Sequence, residues 1–163
     1  MIKNPSFESE SPSPWVTSGD GITILTDPEI ARSGQRSAAI SFFEVTNSKQ
    51  RPEVSQPIKG IENDRNYQLE LYFTILQGAP SINNVCELKI QLYGGSTFAA
   101  VIIQEGVYTP ETYYELEFPF GGSQGSSTDL EVIVSCQKDP PQELKVAVDD
   151  FRIVEQPLED NGK

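Results

Sequence analysis

Apolar residues fall on every second position through most of this 163-residue chain, and that regularity decides its fold class. In YQLELYFTI, Tyr67, Leu69, Leu71, Phe73 and Ile75 share one face, with Gln68, Glu70, Tyr72 and Thr74 on the other. VCELKIQLYGG sets Cys86, Leu88, Ile90 and Leu92 against Glu87, Lys89, Gln91 and Tyr93. YYELEFPF sets Tyr114, Leu116, Phe118 and Phe120 against Tyr113, Glu115 and Glu117, and LEVIVSC keeps Leu130, Val132, Val134 and Cys136 in phase. Less regular strands are expected over Ile22–Thr26, Ala38–Val45, Glu53–Ile58 and Phe98–Gln104, about nine strands in all. Turn-rich pieces such as QGAPSINN, YGGS and GGSQGSS separate them. No stretch reads as a long helix; DPEIARSG reads as one turn, with Asp27 as cap and Pro28 at the first position. Short antiparallel strands with one apolar face each must bury those faces against one another. The expectation is an all-β jelly-roll β-sandwich of two antiparallel sheets, one domain over 1–156 with a tail at 157–163.

Charge and composition narrow the partners. The formal net charge is −12, which argues against nucleic acid and anionic membrane surfaces, since both require basic patches. No apolar run approaches the roughly 20 residues of a membrane-spanning helix, so no membrane insertion is expected. The opening MIKNPSFESE is polar and lacks the form of a secretory leader, so a secreted location would imply a trimmed chain. The chain has no histidine. That removes Ser-His-Asp and Cys-His nucleophiles and the usual zinc, copper and non-haem iron sites. An enzyme built on it would rely on carboxylates, tyrosine or lysine.

Two cysteines, Cys86 and Cys136, both fall on the inward phase of their strands. They can be buried thiols acting as small hydrophobes, or a disulfide joining two strands. An even count in an acidic, strand-rich chain favours the disulfide.

A second constraint sits near the C-terminus. VAVDDFRIV reads as a strand, yet Asp149 and Asp150 are adjacent within it, so one of them should face the core. A buried, unpaired carboxylate is too costly to stand alone. Its partner is a cation, a set of loop amides, or a guanidinium such as Arg36 or Arg152. The N-terminal NPSFESESPSPW carries Glu8 directly after Phe7, and ARSGQRSAAISF is a glycine-containing turn leading into an apolar strand. In this order, with Trp15 between them and VDDFRI last, these segments resemble the CenC-type carbohydrate-binding modules, jelly rolls of the families 4, 9 and 22 kind with a galactose-binding-like fold. The resemblance implies a structural calcium ion where the first and last strands meet. Its ligands would be Glu8, a carbonyl among Ser33, Gly34 and Arg36, and Asp149, with Glu10 as a possible extra donor. By the same resemblance, Trp15 packs in the structure and is not a sugar platform.

The resemblance also implies a non-catalytic, lectin-like module of a secreted or cell-surface protein, binding a polysaccharide or oligosaccharide; with unremarkable sheet edges, a monomer is the default expectation. Outward positions of the best strands suit that ligand: tyrosine rings stack on sugar faces while amides and carboxylates take hydroxyls. Tyr72, Gln91 and Tyr93 are the first choices, with Tyr113 and Gln68 beside them if their strands share one sheet. Polar outward residues are also what any solvated sheet face shows. The alternatives are a structural or shielding cell-wall protein of the same fold, and a glycosidase, which would need two carboxylates facing each other across a cleft.

Overall fold

The computed structural model describes residues 2–11, 13–43, 52–78, 85–93, 98–104, 106–122, 128–137 and 143–157. Among them ten strands form: β1 (Val16–Ser18), β2 (Ile22–Thr26), β3 (Arg36–Phe43), β4 (Glu53–Ile58), β5 (Asn66–Gln77), β6 (Val85–Tyr93), β7 (Phe98–Ile103), β8 (Tyr114–Gly121), β9 (Thr128–Gln137) and β10 (Glu143–Gln156). They make two antiparallel five-stranded sheets, ordered β1-β4-β9-β6-β7 and β2-β3-β10-β5-β8. The expected β-sandwich is therefore present, with one strand more than the alternation reveals. That strand, β1, has three exposed residues and carries no apolar period to read. β3 begins two residues before its expected start. The DPEIARSG turn forms with Asp27 at its head, whose carbonyl accepts the Ile30 and Ala31 amides while its carboxylate accepts Glu29 N–H.

The inward phases pack as the alternation requires. Leu69, Leu71, Phe73 and Ile75 of β5 meet Leu88 and Ile90 of β6 and Leu130, Val132 and Val134 of β9 in one apolar core. Cys86 and Cys136 lie directly opposite each other on β6 and β9 and form a disulfide. Phe7, Trp15 and Phe151 close one end of this core, Phe7 stacked on Trp15 at 5.0 Å and Trp15 4.9 Å from Phe151. Trp15 is buried and its indole N–H donates to the Asn4 carbonyl at 2.9 Å, so it packs in the structure as expected.

The doublet in β10 is accommodated by a bulge. Asp149 pairs with Tyr72 and Arg152 with Glu70, so Asp150 and Phe151 together oppose the single Leu71. Asp150 takes a left-handed conformation, φ 50°, which aspartate tolerates better than most residues. The extra residue restores Phe151 to the core, and neither carboxylate points into it.

The disulfide closes a loop of 50 residues. Its reduction, or Cys86→Ala with Cys136→Ala, is expected to remove up to about 4 kcal/mol, a fall on the order of 10 °C in melting temperature. Calorimetry with and without reductant checks this, and an unchanged midpoint would contradict it.

Candidate functional site

The outer face of the β2-β3-β10-β5-β8 sheet is roofed at one end by the β2–β3 loop. Asp149 holds that roof in place. Its side chain is fully buried, one oxygen accepting Arg32 N–H at 3.0 Å and Ser33 N–H at 3.5 Å, the other accepting Asp150 N–H at 2.8 Å. Burial, reinforced by the negative charge of Asp150, nevertheless pushes its carboxyl up to about 7 against the pull of those amides. Asp150 shows the opposite balance. Burial alone would raise it, but the Ser33 and Ser6 hydroxyls, each 2.6 Å away, and the Arg32 guanidinium at 2.5 Å outweigh burial and hold it below the ordinary range.

Glu8 grips the same loop from its other side. Its Oε1 accepts Gln35 N–H at 2.9 Å and Arg36 N–H at 2.8 Å. Gly34 is left-handed, φ +69°, so any side chain there would be strained, and its Cβ would displace the Glu8 carboxylate from its place on the loop. The Arg36 guanidinium donates to the Ser9 carbonyl at 2.5 Å. Of the residues expected to hold calcium, the fold thus gathers Glu8, Ser33, Gly34, Arg36 and Asp149 around one loop, and leaves Glu10 exposed.

The donor set suits a hard cation in kind: two carboxylates with lone pairs to spare, and a loop whose carbonyls are oxygen donors. Glu8 presses on a glycine cradle that a Cβ would fill. Among the described residues, however, no three acids, thiols or imidazoles gather as a cluster, and the loop presents amide N–H groups to both carboxylates. Amides are therefore the partners that Asp149 finds among the described residues, and they offset its burial only in part. Arg36 and Arg152 are not its partners, since Arg36 bonds Ser9 and Arg152 lies 3.8 Å from Glu70.

The expected sugar face does not assemble as one surface. Gln68, Tyr72 and Tyr113 belong to β5 and to the residue before β8, in one sheet, whereas Gln91 and Tyr93 belong to β6, in the other. Strand alternation sets which way a side chain points within its sheet and is silent on which sheet that is. Tyr72 is also engaged on its ring and hydroxyl: the Arg32 guanidinium lies 3.4 Å over the ring, and the hydroxyl donates to Glu115 at 2.5 Å. Gln68 accepts from Gln156 at 3.2 Å. The Tyr113 hydroxyl donates to the Ile30 carbonyl at 2.7 Å, and burial, with Asp149 and Asp150 nearby, pushes it up to about 12. The Tyr93 side chain lies outside the described residues.

Gln91 stands in a different setting. On the outer face of the β1-β4-β9-β6-β7 sheet, Glu87, Lys89 and Gln91 of β6 sit beside Ser135, Ile133 and Glu131 of β9, with Glu53 and Ser55 of β4 in the next row. This outward face is shaded: Ile133 is only 6 % exposed and Ser135 only 8 %. Lys89 pairs with Glu87 at 2.8 Å, and the Ser135 hydroxyl is buried with no hydrogen-bond partner among the described residues. Burial, then the charges of Glu53 and Asp129, raise Glu131 above its ordinary value. The sequence shows Glu87 and Lys89 pointing outward and does not single out Glu131 and Ser135. Their phase in LEVIVSC was visible, but their adjacency to β6 was not.

No protein-family model matches the chain, and neither does any curated protein sequence. Solved structures of the same fold do. The carbohydrate-binding module TmCBM61, solved with β-1,4-galactotriose, superposes with a TM-score of 0.66 at 18 % identity, covering 95 % of this chain and 97 % of its own. The CBM22-1 xylan-binding domain of Paenibacillus barcinonensis Xyn10C gives 0.56 at 16 %, covering 92 % and 90 %. A Stig cyclase from Fischerella sp. TAU, solved with an indole compound, gives 0.64 at 17 %, covering 98 % of each chain. The fold is that of carbohydrate-binding modules, and it also carries enzymes.

Asp149 sets a pH signature. Its folded value, raised above the ordinary 3.8, means that its contribution to stability is complete below about 3.8 and is lost as pH rises through about 7. With chelator present, the wild-type stability profile should fall more steeply over that window than that of Asp149→Asn, compared by urea unfolding at each pH. Parallel profiles would show that Asp149 is not the titrating group.

Proposed function

We propose that this chain is a non-catalytic carbohydrate-binding module that holds a glycan on the outer face of the β1-β4-β9-β6-β7 sheet. The observation that carries the reading is the shaded polar grid there, with the Ser135 hydroxyl buried and without a partner among the described residues beside the Glu87–Lys89 pair. A buried hydroxyl with nothing to bond costs about 1–3 kcal/mol, which a ligand hydroxyl would recover. Lys89 donates, the carboxylates of Glu87 and Glu131 accept, the Gln91 amide does both, and Ile133 offers an apolar floor. This is the mixture that sugars bind, with hydroxyls around the rim of a ring and C–H groups on its faces. The oligosaccharide and xylan named for modules of similar fold support the ligand class. The cross-strand disulfide is compatible with the secreted or cell-surface location proposed with it.

A structural calcium ion belongs to the proposal. Glu8 and Asp149 would hold it with loop oxygens, and the charge it supplies would relieve the desolvated Asp149. Bound to the folded state alone, calcium at 100 times its dissociation constant adds about 2.7 kcal/mol. Melting in calcium and in EDTA tests this, and equal midpoints would remove the ion from the proposal. For the glycan, pull-down on insoluble polysaccharides and a soluble glycan array should show saturable binding to one class. Lys89→Ala or Gln91→Ala should weaken it about tenfold, a loss of roughly 1.4 kcal/mol, and Tyr72→Ala should leave it unchanged. No binding across the panel would favour a structural cell-wall protein.

A further inference from the structure

A cleft of about 530 Å³ opens on the other sheet, between the β2–β3 loop, the outer side of β5 and the segment before β8. Its volume lies within the range of small-molecule sites. Two hydrogen bonds brace its walls: Tyr113 Oη–H to the Ile30 carbonyl at 2.7 Å, and Glu111 N–H to the Ile75 carbonyl at 3.1 Å. The cleft is therefore preformed.

Three features of the lining define what it can take. Asp27, Glu29 and Glu111, three acidic residues spaced along its rim without forming a tight cluster, are part of the lining. Arg32, the one cation in the lining among the described residues, is paired with Asp150 at 2.5 Å and stacked over the Tyr72 ring, so its charge is already matched outside the carboxylates of the lining. Leu76, Ile30 and Ala31 supply an apolar surface. Thr74 also lines the cleft; it is 1 % exposed, and its hydroxyl is buried with no hydrogen-bond partner among the described residues. Threonine and valine have nearly the same shape, so a hydroxyl left unbonded there is a cost that the fold alone does not require.

We propose that this cleft is a second binding site, for a small cationic ligand in which a protonated amine neighbours a hydroxyl, the chemistry of a 2-amino sugar. The amine meets the carboxylates, a ring hydroxyl bonds Thr74, and the apolar face of the ring rests on Leu76 and Ile30. Acidic sugars are repelled, and a neutral sugar forgoes the charge interaction. The site is on the opposite side of the sandwich from the proposed glycan face and does not depend on it.

Titration of the whole chain with D-glucosamine, followed by amide chemical shifts and by calorimetry at neutral pH and low salt, tests the proposal. Saturable binding is expected, at least tenfold tighter than for glucose or N-acetylglucosamine, and weakening as salt screens the carboxylates. Glu111→Gln, an exposed change that leaves the fold intact, should weaken it about tenfold. Thr74→Val should weaken it severalfold while the melting temperature holds or rises, which a purely structural threonine would not do. Lys89→Ala should leave it unaltered, so failure here and failure on the glycan face are read separately. No saturable response to glucosamine, or an equal response to glucose, would overturn the proposal.

Discussion

Three backbone amides converge on the buried carboxylate of Asp149, and the arrangement of one whole face of the sandwich depends on them. Hydrogen bonds to an ionised group are worth about 1.5–3 kcal/mol each, and removing them would strand a charge in an apolar setting. The β2–β3 loop is therefore held across the sheet instead of lying out in solvent. Once it is there, Arg32 reaches both Asp150 and the Tyr72 ring, and the Ile30 carbonyl meets Tyr113. Glu8 ties the N-terminal segment to the same loop, and Ser6 ties it to Asp150, so the two ends of the chain are fastened at one point.

The bulge at Asp150–Phe151 makes this possible. A regular strand would turn Asp150 toward the core and Phe151 away from it. One extra residue, at a left-handed φ, reverses both. Phe151 then completes the aromatic cluster with Phe7 and Trp15, while Asp150 collects two hydroxyls and a guanidinium at the rim. The local irregularity joins packing below the sheet to hydrogen bonding above it.

The two outer faces are consequently unlike each other. One is partly roofed, and its tyrosines are occupied with internal bonds. The other presents a row of long polar side chains beside a buried serine hydroxyl and a shaded isoleucine. This asymmetry is why Tyr72 and Gln91, equivalent by strand phase, have different prospects as ligand contacts. A ring already covered by a guanidinium has given up a face that a sugar would need.

Much of the fold was legible because its signal is local. The period of two in β5, β6, β8 and β9 set which residues face inward, Cys86 and Cys136 among them, and thereby the sandwich. The oddity of two adjacent aspartates in an apolar strand was equally visible, as was the need for something to neutralise them. β1 was not, because three exposed residues carry no period. Nor could phase reveal that β5 and β8 lie in one sheet and β6 in the other, because period two gives direction and carries no information about partners. Side-chain pattern alone determined the sandwich and the problem posed by Asp149. The solution lay in contacts between residues more than 100 positions apart, Arg32 and Ser33 with Asp149, which only the folded chain brings together.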